Sequence, residues 1–456
     1  MEGRENRDRT PWGGNMAGTS SPDSVSTRQA RIAELAKRAP SKPISTLAHH
    51  IDVQWLIEAY ARTRKDGAAG VDGQTAARYA ADLERNLQSL LNRAKSGTYR
   101  APPVRRVHIP KGTGSETRPI GIPTFEDKVL QRAVVMALEP VYEQDFYDCS
   151  YGFRPKRSAH QALEALWRHL TTIGGGWVVD VDIRKFFDTL DHRQLRAFLQ
   201  RRIRDGVLLR LIGKWLNAGV LEGGVLTSPD QGTPQGGVIS PLLANVYLHY
   251  VLDEWFEQVV KPRLRGRCVL VRYADDVVIG FEHESEARRV LEVLPKRFAK
   301  YGLALHPDKT RRVPFSRPRQ RPGVKSEGPQ PGTFDLLGFT HYWGRSRRGG
   351  WTVVRKTASS RFSRAITTIA AWCRDHRHLS LSVQHTTLSQ KLKGHDAYYG
   401  ITGNYRMLQQ LRYEVQRIWR KWLARRRAGP LPWEAFHAVL QRYPLPPARV
   451  VHSVYA

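Results

Sequence analysis

Asp275 and Asp276 interrupt an apolar stretch that runs Cys268-Val-Leu-Val-Arg-Tyr273 before the motif Tyr273-Ala-Asp-Asp276 and Val277-Val-Ile-Gly-Phe281 after it. Two β-rich runs around a short polar break read as a hairpin with both carboxylates at its tip. Carboxylates at the tip of a buried hairpin are costly unless a cation neutralises them. A second carboxylate-bearing run lies upstream, Val178-Val-Asp180-Val-Asp182-Ile183. Three carboxylates on two strands, Asp182, Asp275 and Asp276, can hold the pair of Mg²⁺ ions that phosphoryl transfer uses, with Mn²⁺ as a substitute. Asp182 and Asp275 are read as bridging the two ions, Asp276 as assisting one ion or orienting the hairpin, and Ile183 as offering a backbone carbonyl. Asp180 shares the face of Asp182 but is the less favoured ligand, and Asp188 reads as a structural hydrogen-bonder. Taken singly, each of these is an ordinary turn or strand-end residue. Their conjunction in Val- and Ile-rich runs, where carboxylates are otherwise excluded, carries the reading.

Other residues could serve the same chemistry. The stretch Gln231-Gly-Thr-Pro-Gln-Gly-Gly-Val-Ile-Ser-Pro241 forms a sharp loop ahead of an apolar run, where backbone N–H groups can come close to a base, sugar or phosphate. Gln235 is the candidate for touching an incoming nucleotide, although the composition suits a simple turn equally well. Lys111 and Arg118 flank a Gly-rich turn and could together hold a triphosphate, Arg as a planar fork and Lys as a point charge. Lys309, in His306-Pro-Asp-Lys-Thr310, could give a proton to pyrophosphate or be a solvated turn lysine.

The 456 residues carry 73 Lys plus Arg against 42 Asp plus Glu, a net charge of +31 with pI near 10.4. Such an excess calls for a polyanionic partner, and nucleic acid is favoured over an anionic membrane because no segment reads as an amphipathic membrane helix. Cys149, Cys268 and Cys373 are far apart, which argues against zinc sites and a disulfide framework and for a reducing, cytoplasmic compartment. No apolar run has transmembrane length, and the N-terminus lacks the apolar core of a signal peptide.

The elements that must position these groups read as α+β. Residues 1–45 are expected to be mostly disordered, with room for a short helix over residues 27–38. Helix is expected over 47–91 with a break at 67–70, then a hairpin of strands 104–109 and 118–122, and helices over 126–142 and 159–170. The Asp182 strand, a helix over 193–203, a buried helix over 238–256 and the Asp275 hairpin follow, then a helix to residue 301 capped by Ser285. Residues 314–333 read as a long exposed loop. Helices over 361–372 and 407–422 close the pattern. In the second, Leu408, Leu411, Val415, Ile418, Trp419 and Trp422 share one face, while Arg412, Arg417, Arg420 and Lys421 lie on the other and are expected to run along a nucleic-acid backbone.

The ordered set Arg118-Pro-Ile-Gly-Ile-Pro123, Tyr151-Gly-Phe-Arg-Pro155, Asp182-Ile-Arg-Lys-Phe-Phe-Asp188, Gln231-Gly-Thr-Pro-Gln-Gly236, Tyr273-Ala-Asp-Asp276 and Leu336-Leu-Gly-Phe339 resembles bacterial group II intron reverse transcriptases, the intron-encoded maturases. Lys391-Leu-Lys-Gly-His-Asp-Ala-Tyr-Tyr-Gly400 looks like the start of their maturase, or thumb, segment. The resemblance implies a right-hand polymerase: fingers over 46–176, palm over 177–345 with part of the fingers inserted, a thumb or maturase (X) domain over 346–430 and a short tail over 431–456. By motif position Phe187 resembles the steric gate that excludes a ribose 2′-OH, and Lys111, Arg118, Gln235 and Lys309 fall at nucleotide-binding positions. The implied partners are group II intron RNA, an RNA template with its DNA primer, a DNA target and dNTPs, in a nucleoid-associated ribonucleoprotein. Many relatives add an endonuclease with paired cysteines. None is expected here, which suggests target entry with a primer from another source such as a replication fork. Two alternatives stand beside this reading: a domesticated relative in phage defence or DNA repair, and an RNA-binding splicing factor without polymerase activity.

Overall fold

The computed structural model describes residues 24–453, apart from residues 41, 111–116, 228–231, 233–235, 319–330, 347 and 427–428. Four helices come first, α1 Val25–Arg38, α2 Val53–Arg62, α3 Ala76–Ala80 and α4 Leu83–Ser96. The hairpin β1 Val104–Pro110 and β2 Thr117–Ile122 follows, then α5 Phe125–Tyr142, α6 Ala159–Ile173 and β3 Trp177–Val181. Next are α7 His192–Gln200, α8 Gly206–Leu216, β4 Val220–Glu222, β5 Val225–Thr227 and α9 Ser240–Leu248. The hairpin β6 Cys268–Tyr273 and β7 Asp276–Phe281 leads to α10 Glu284–Ala299, β8 Arg311–Pro314, β9 Phe334–Leu336, β10 Phe339–Arg345 and β11 Trp351–Thr357. The last helices are α11 Ser359–Asp375, α12 Leu381–Tyr399, α13 Tyr405–Ala424 and α14 Trp433–Arg442.

Three sheets result, in the orders β2-β1-β4-β5, β6-β7-β3-β8 and β11-β10-β9. All pairs are antiparallel except β1 with β4. The central sheet is buried on both faces because its residues alternate. Val179, Val181, Val277 and Ile279 join the large core built by α1, α2, α4, α5 and α7–α10. Val178, Val269, Val271, Val278 and Val313 join a second core with α6 and the β9–β11 sheet. A third core, around Trp419, Leu388, Val415 and Phe436, holds α11–α14 together.

The short helix expected over residues 27–38 is present as α1, two residues longer at its start, and its Ile32 and Ala36, spaced one turn apart, are buried in the large core. The Arg202 guanidinium pins the end of that segment by donating to the carbonyls of Ala36, Ala39, Pro40 and Lys42, a tertiary contact that no local pattern reports. Two expectations are corrected. The helix from residue 238 keeps regular geometry only to Leu248 and continues as two π-turns, His249–Asp253 and Phe256–Val260. Helix α10 is preceded by His283, so Ser285 lies inside its first turn and does not cap it.

After α14 the chain runs back over the helical domain. The Arg412 side chain donates to the carbonyls of Pro446 and Pro447 at 2.8 and 3.0 Å, and the Arg449 amide donates to Asp396. His452 stacks on His160 of α6 with ring centroids 3.6 Å apart. Among the described residues, no helix is long and apolar enough to cross a membrane.

Candidate active site

The β6–β7 turn is two residues long, with Tyr273 paired to Asp276 across it. Ala274 has φ +56°, the left-handed backbone that a tight hairpin demands of its first central residue. Antiparallel pairing of β3 with β7 sets Val181 opposite Val277, so Asp182 lies opposite Asp276 one step further along. Asp180, Asp182 and Asp276 therefore share one face, as strand periodicity requires. All three line an open pocket of about 480 Å³ together with Lys309, Arg311 and Arg361. Asp275, in the turn itself, is half-buried beside them and feels the charges of Asp182 and Arg118.

These carboxylates repel one another in a partly desolvated place. Asp276 keeps an exposed edge, yet the surrounding protein, then the charges of Asp275 and Asp182, push it up to about 6. Burial also raises Asp275, against the pull of Arg118 and Arg272. Asp180 is pushed up to about 6, again mainly by burial, although Arg311 lies 3.7 Å away. A cluster of acceptor-only oxygens whose ionised forms oppose each other suits a hard divalent cation, which relieves both the burial and the repulsion. In this arrangement the Lys309 ammonium stands 3.6 Å from Asp182 Oδ2, and no three His, Cys, Asp or Glu side chains among the described residues form a ready-made cage.

The backbone around Asp182 is held by the loop that carries Lys309. The Asp182 carbonyl accepts from the His306 amide at 2.8 Å, and its amide donates to the Thr310 hydroxyl at 3.2 Å. Ile183 is buried and bridges Leu305. Phe187 is half-buried in a 3₁₀ turn, edge-on to Phe186. Gly232 (φ +90°) lies on the carbonyls of Phe187 and Asp188, where an added Cβ would come within 2.8 Å. Gly236 (φ +114°) lies in the same way on the Gly121 carbonyl of β2, the strand that carries Arg118. Gly232 thus abuts the Phe187 turn and Gly236 abuts β2. Lys111 and Gln235 lie outside the described residues.

A scaffold that the sequence reading missed stands behind the hairpin. The Arg272 guanidinium, with no solvent exposure, donates to Asp253 at 2.8 and 2.6 Å, to Asn245 at 2.9 Å, to the Ser150 hydroxyl at 2.7 Å and to the Ala274 carbonyl at 3.1 Å. Asp253 reaches it from the first π-turn. Gly152 packs so tightly that an added Cβ would lie 2.4 Å from the Ala274 nitrogen. A charged Arg272 in an apolar strand was the same signal that singled out the aspartates. On the other side, the Leu337–Gly338 turn lines the carboxylate pocket and is held by Tyr398 of α12, whose hydroxyl donates to the Leu337 carbonyl at 2.8 Å.

The predicted nucleic-acid face of α13 is divided. Arg412 is corrected: it is buried, ion-paired with Asp396 and occupied by the tail, because the returning chain covers the helical face on which it lies. Arg417 and Lys421 are exposed and line a groove with Arg420, whose guanidinium lies 4.2 Å from the Trp433 ring centroid.

Residues 109–341, just over half of the chain, match the reverse transcriptase (RNA-dependent DNA polymerase) family. This chain belongs to that family. It is 38% identical over 300 residues to Protein YkfC of Escherichia coli (strain K12), covering 58% of this chain and 78% of that protein. It is 45% identical over 225 residues to the Group II intron-encoded protein LtrA of Lactococcus lactis subsp. cremoris, covering 47% of this chain and 37% of LtrA. Nuclear intron maturase 2, mitochondrial, of Arabidopsis thaliana is 27% identical over 233 residues, 42% of this chain and 30% of that protein. The resemblance to group II intron reverse transcriptases and maturases is thereby borne out.

Proposed function

We propose that the chain is an RNA-directed DNA polymerase of the group II intron type, which copies intron RNA into DNA and binds that RNA to assist its splicing. The observation that carries this reading is the convergence of Asp182, Asp275 and Asp276 at the β3–β7 junction, within a chain of the reverse transcriptase family. In this reading residues 46–176 are fingers, 177–345 the palm and 346–430 the thumb, with 431–456 as a tail.

Asp182, Asp275 and Asp276, with the Ile183 carbonyl, would hold two Mg²⁺ ions, which supply activation of the primer 3′-hydroxyl and neutralisation of charge on the phosphates. Arg118, which already acts electrostatically on Asp275 and Asp276, would hold the triphosphate, with Lys111 as its companion. Phe187 would close the pocket against a ribose 2′-OH, backed by the Gly232 contact that fixes its turn. Gln235 would contact the incoming nucleotide. Lys309, now paired with Asp182, is the candidate donor of a proton to departing pyrophosphate. Arg417, Arg420 and Lys421 would follow the nucleic-acid backbone, so affinity should fall with salt.

The test is primer extension on an RNA template with dNTPs and Mg²⁺, comparing wild type with Asp275→Ala. Extension by wild type alone supports the reading. No extension by either protein, with RNA binding intact, would leave an RNA-binding splicing factor in its place.

A further inference from the structure

A second basic groove lies apart from the carboxylate pocket and shares no lining residue with it. It has a volume of about 640 Å³ and is bordered by the segment after α4, by α7 and by the outer face of α8. Four cations line it, Arg100, Arg196, Arg210 and Lys214, and none of its lining residues is acidic. Arg100, Arg196 and Arg210 are exposed and form no ion pair among the described residues. Lys214 is fixed in place by donating to the carbonyls of Gly97 and Tyr99 at the C-terminal end of α4. The Arg210 guanidinium lies over Gly97, within 3.4 Å of where its Cβ would stand. Lys214 is thus held in position without being neutralised by a carboxylate.

Helix α8 adds a second, independent observation. Gly206, Arg210, Gly213, Lys214 and Asn217 recur at helical spacing and make up its outer face, while Leu208, Leu211, Ile212 and Trp215 are buried. Glycine is the poorest helix former after proline, and Gly213 sits inside the helix. A Cβ at Gly206 or Gly213 would meet nothing within 4 Å, so packing within this chain gives no reason for glycine there. A face that is bare at two positions and cationic at the positions beside them lets a phosphodiester backbone come against the helix itself.

We propose that this groove is a docking site for the phosphate backbone of structured RNA, separate from the polymerase cleft. The choice of RNA rests on the function proposed above. The groove holds RNA by charge and close approach, without reading bases, while the cleft is free to copy.

The experiment uses the full chain with its cleft saturated by an RNA template–DNA primer hybrid, and follows binding of a fluorescent short RNA duplex across a salt series. Combined Arg100→Glu, Arg196→Glu and Arg210→Glu substitutions should weaken duplex binding at least about tenfold. They should also make the plot of log K against log salt shallower by about two to three, one unit per lost phosphate contact. Primer extension on a short template should stay within about twofold of wild type. Gly213→Leu should weaken duplex binding several-fold while the melting temperature holds or rises, which separates an obstructed groove from a damaged fold. Unchanged affinity and slope in the triple variant would overturn the proposal. So would capture of poly-glutamate and not of RNA, which would indicate an acidic protein partner. Absence of primer extension by wild type would count against the polymerase reading, whereas the salt slopes would still decide the groove.

Discussion

The Arg272 guanidinium and the Asp253 carboxylate meet fork to fork, both without solvent exposure, directly behind the turn that carries Asp275. Burial lowers the guanidinium's affinity for its proton, but the Asp253 charge and hydrogen bonds more than offset this, so Arg272 is held charged. Deleting one partner leaves the other charge buried and alone. Arg272→Ala should lower stability by about 3–5 kcal/mol in chemical denaturation. Arg272→Met with Asp253→Leu should recover at least half of that loss. Extension activity should stay low in the double variant, because the Ala274 carbonyl, Asn245 and Ser150 also lose their donor.

Gly152 makes a sharper probe of hairpin position. A methyl group there would stand against backbone atoms of Tyr273 and Ala274, which cannot rotate away. Gly152→Ala should displace the turn by a fraction of an ångström to an ångström and lower kcat about 10²-fold. Template–primer affinity, measured by anisotropy, should change little. Full kcat in this variant would show that the hairpin tolerates the shift.

Lys309 lies in a half-exposed ion pair with Asp182, so its loss should be almost silent for stability, within about 0.5 kcal/mol. Lys309→Met should nevertheless lower single-turnover incorporation about 10²-fold if the ammonium delivers a proton. An unchanged rate would return Lys309 to the role of a surface lysine.

Asp127 gives a stability prediction with a definite sign. Its carboxyl is buried and accepts from the Tyr99 hydroxyl, and burial, with the Asp72 charge adding, pushes it up to about 8. An unfolded aspartate titrates at 3.8, so the folded state holds an extra proton between these values. Stability from this group is therefore present at the acid end of the window and is lost as pH rises through about 8. Asp127→Asn should melt above wild type at pH 8.5, and the gap should close toward pH 4, with a slope of at most about 1.4 kcal/mol per pH unit. A pH-independent gap would mean that Asp127 is ionised in the folded protein.

Arg412 and its neighbours on α13 should separate cleanly. Arg412→Ala strands a buried Asp396 and frees the tail, so residues 443–453 should become sensitive to protease while RNA affinity stays within about twofold. Arg417→Glu with Lys421→Glu should weaken RNA binding and flatten its salt dependence, with the tail still protected.

The sequence disclosed what stood out against its surroundings and little of what completed it. Asp182, Asp275 and Asp276 were legible because carboxylates are rare in Val- and Ile-rich strands, and strand alternation alone set Asp180 on the face of Asp182. The glycines of the loop at 231–237 marked a turn, but the carbonyls that Gly232 and Gly236 press against belong to distant segments. Arg412 was misassigned because helical spacing sorts residues into faces without saying what covers each face. Helix α12 went unread because Leu388, Leu392, Tyr398 and Tyr399 serve two different cores. Strands β8 and β9, four and three residues long, offered no periodic run long enough to read.

The central strand β3 also sets the order in which the protein can mature on the ribosome. It buries valines toward both faces and is flanked by β7 and β8, and those strands are made roughly a hundred residues or more after it. At ordinary translation speeds that delay is on the order of ten seconds. Throughout it, β3 has two open edges and Asp182 has no fixed neighbour. The carboxylate cluster is thus completed late, and the nascent chain carries an aggregation-prone strand until β7 emerges. Yield of folded protein should therefore respond to elongation rate and chaperone supply as well as to the stability of the finished fold.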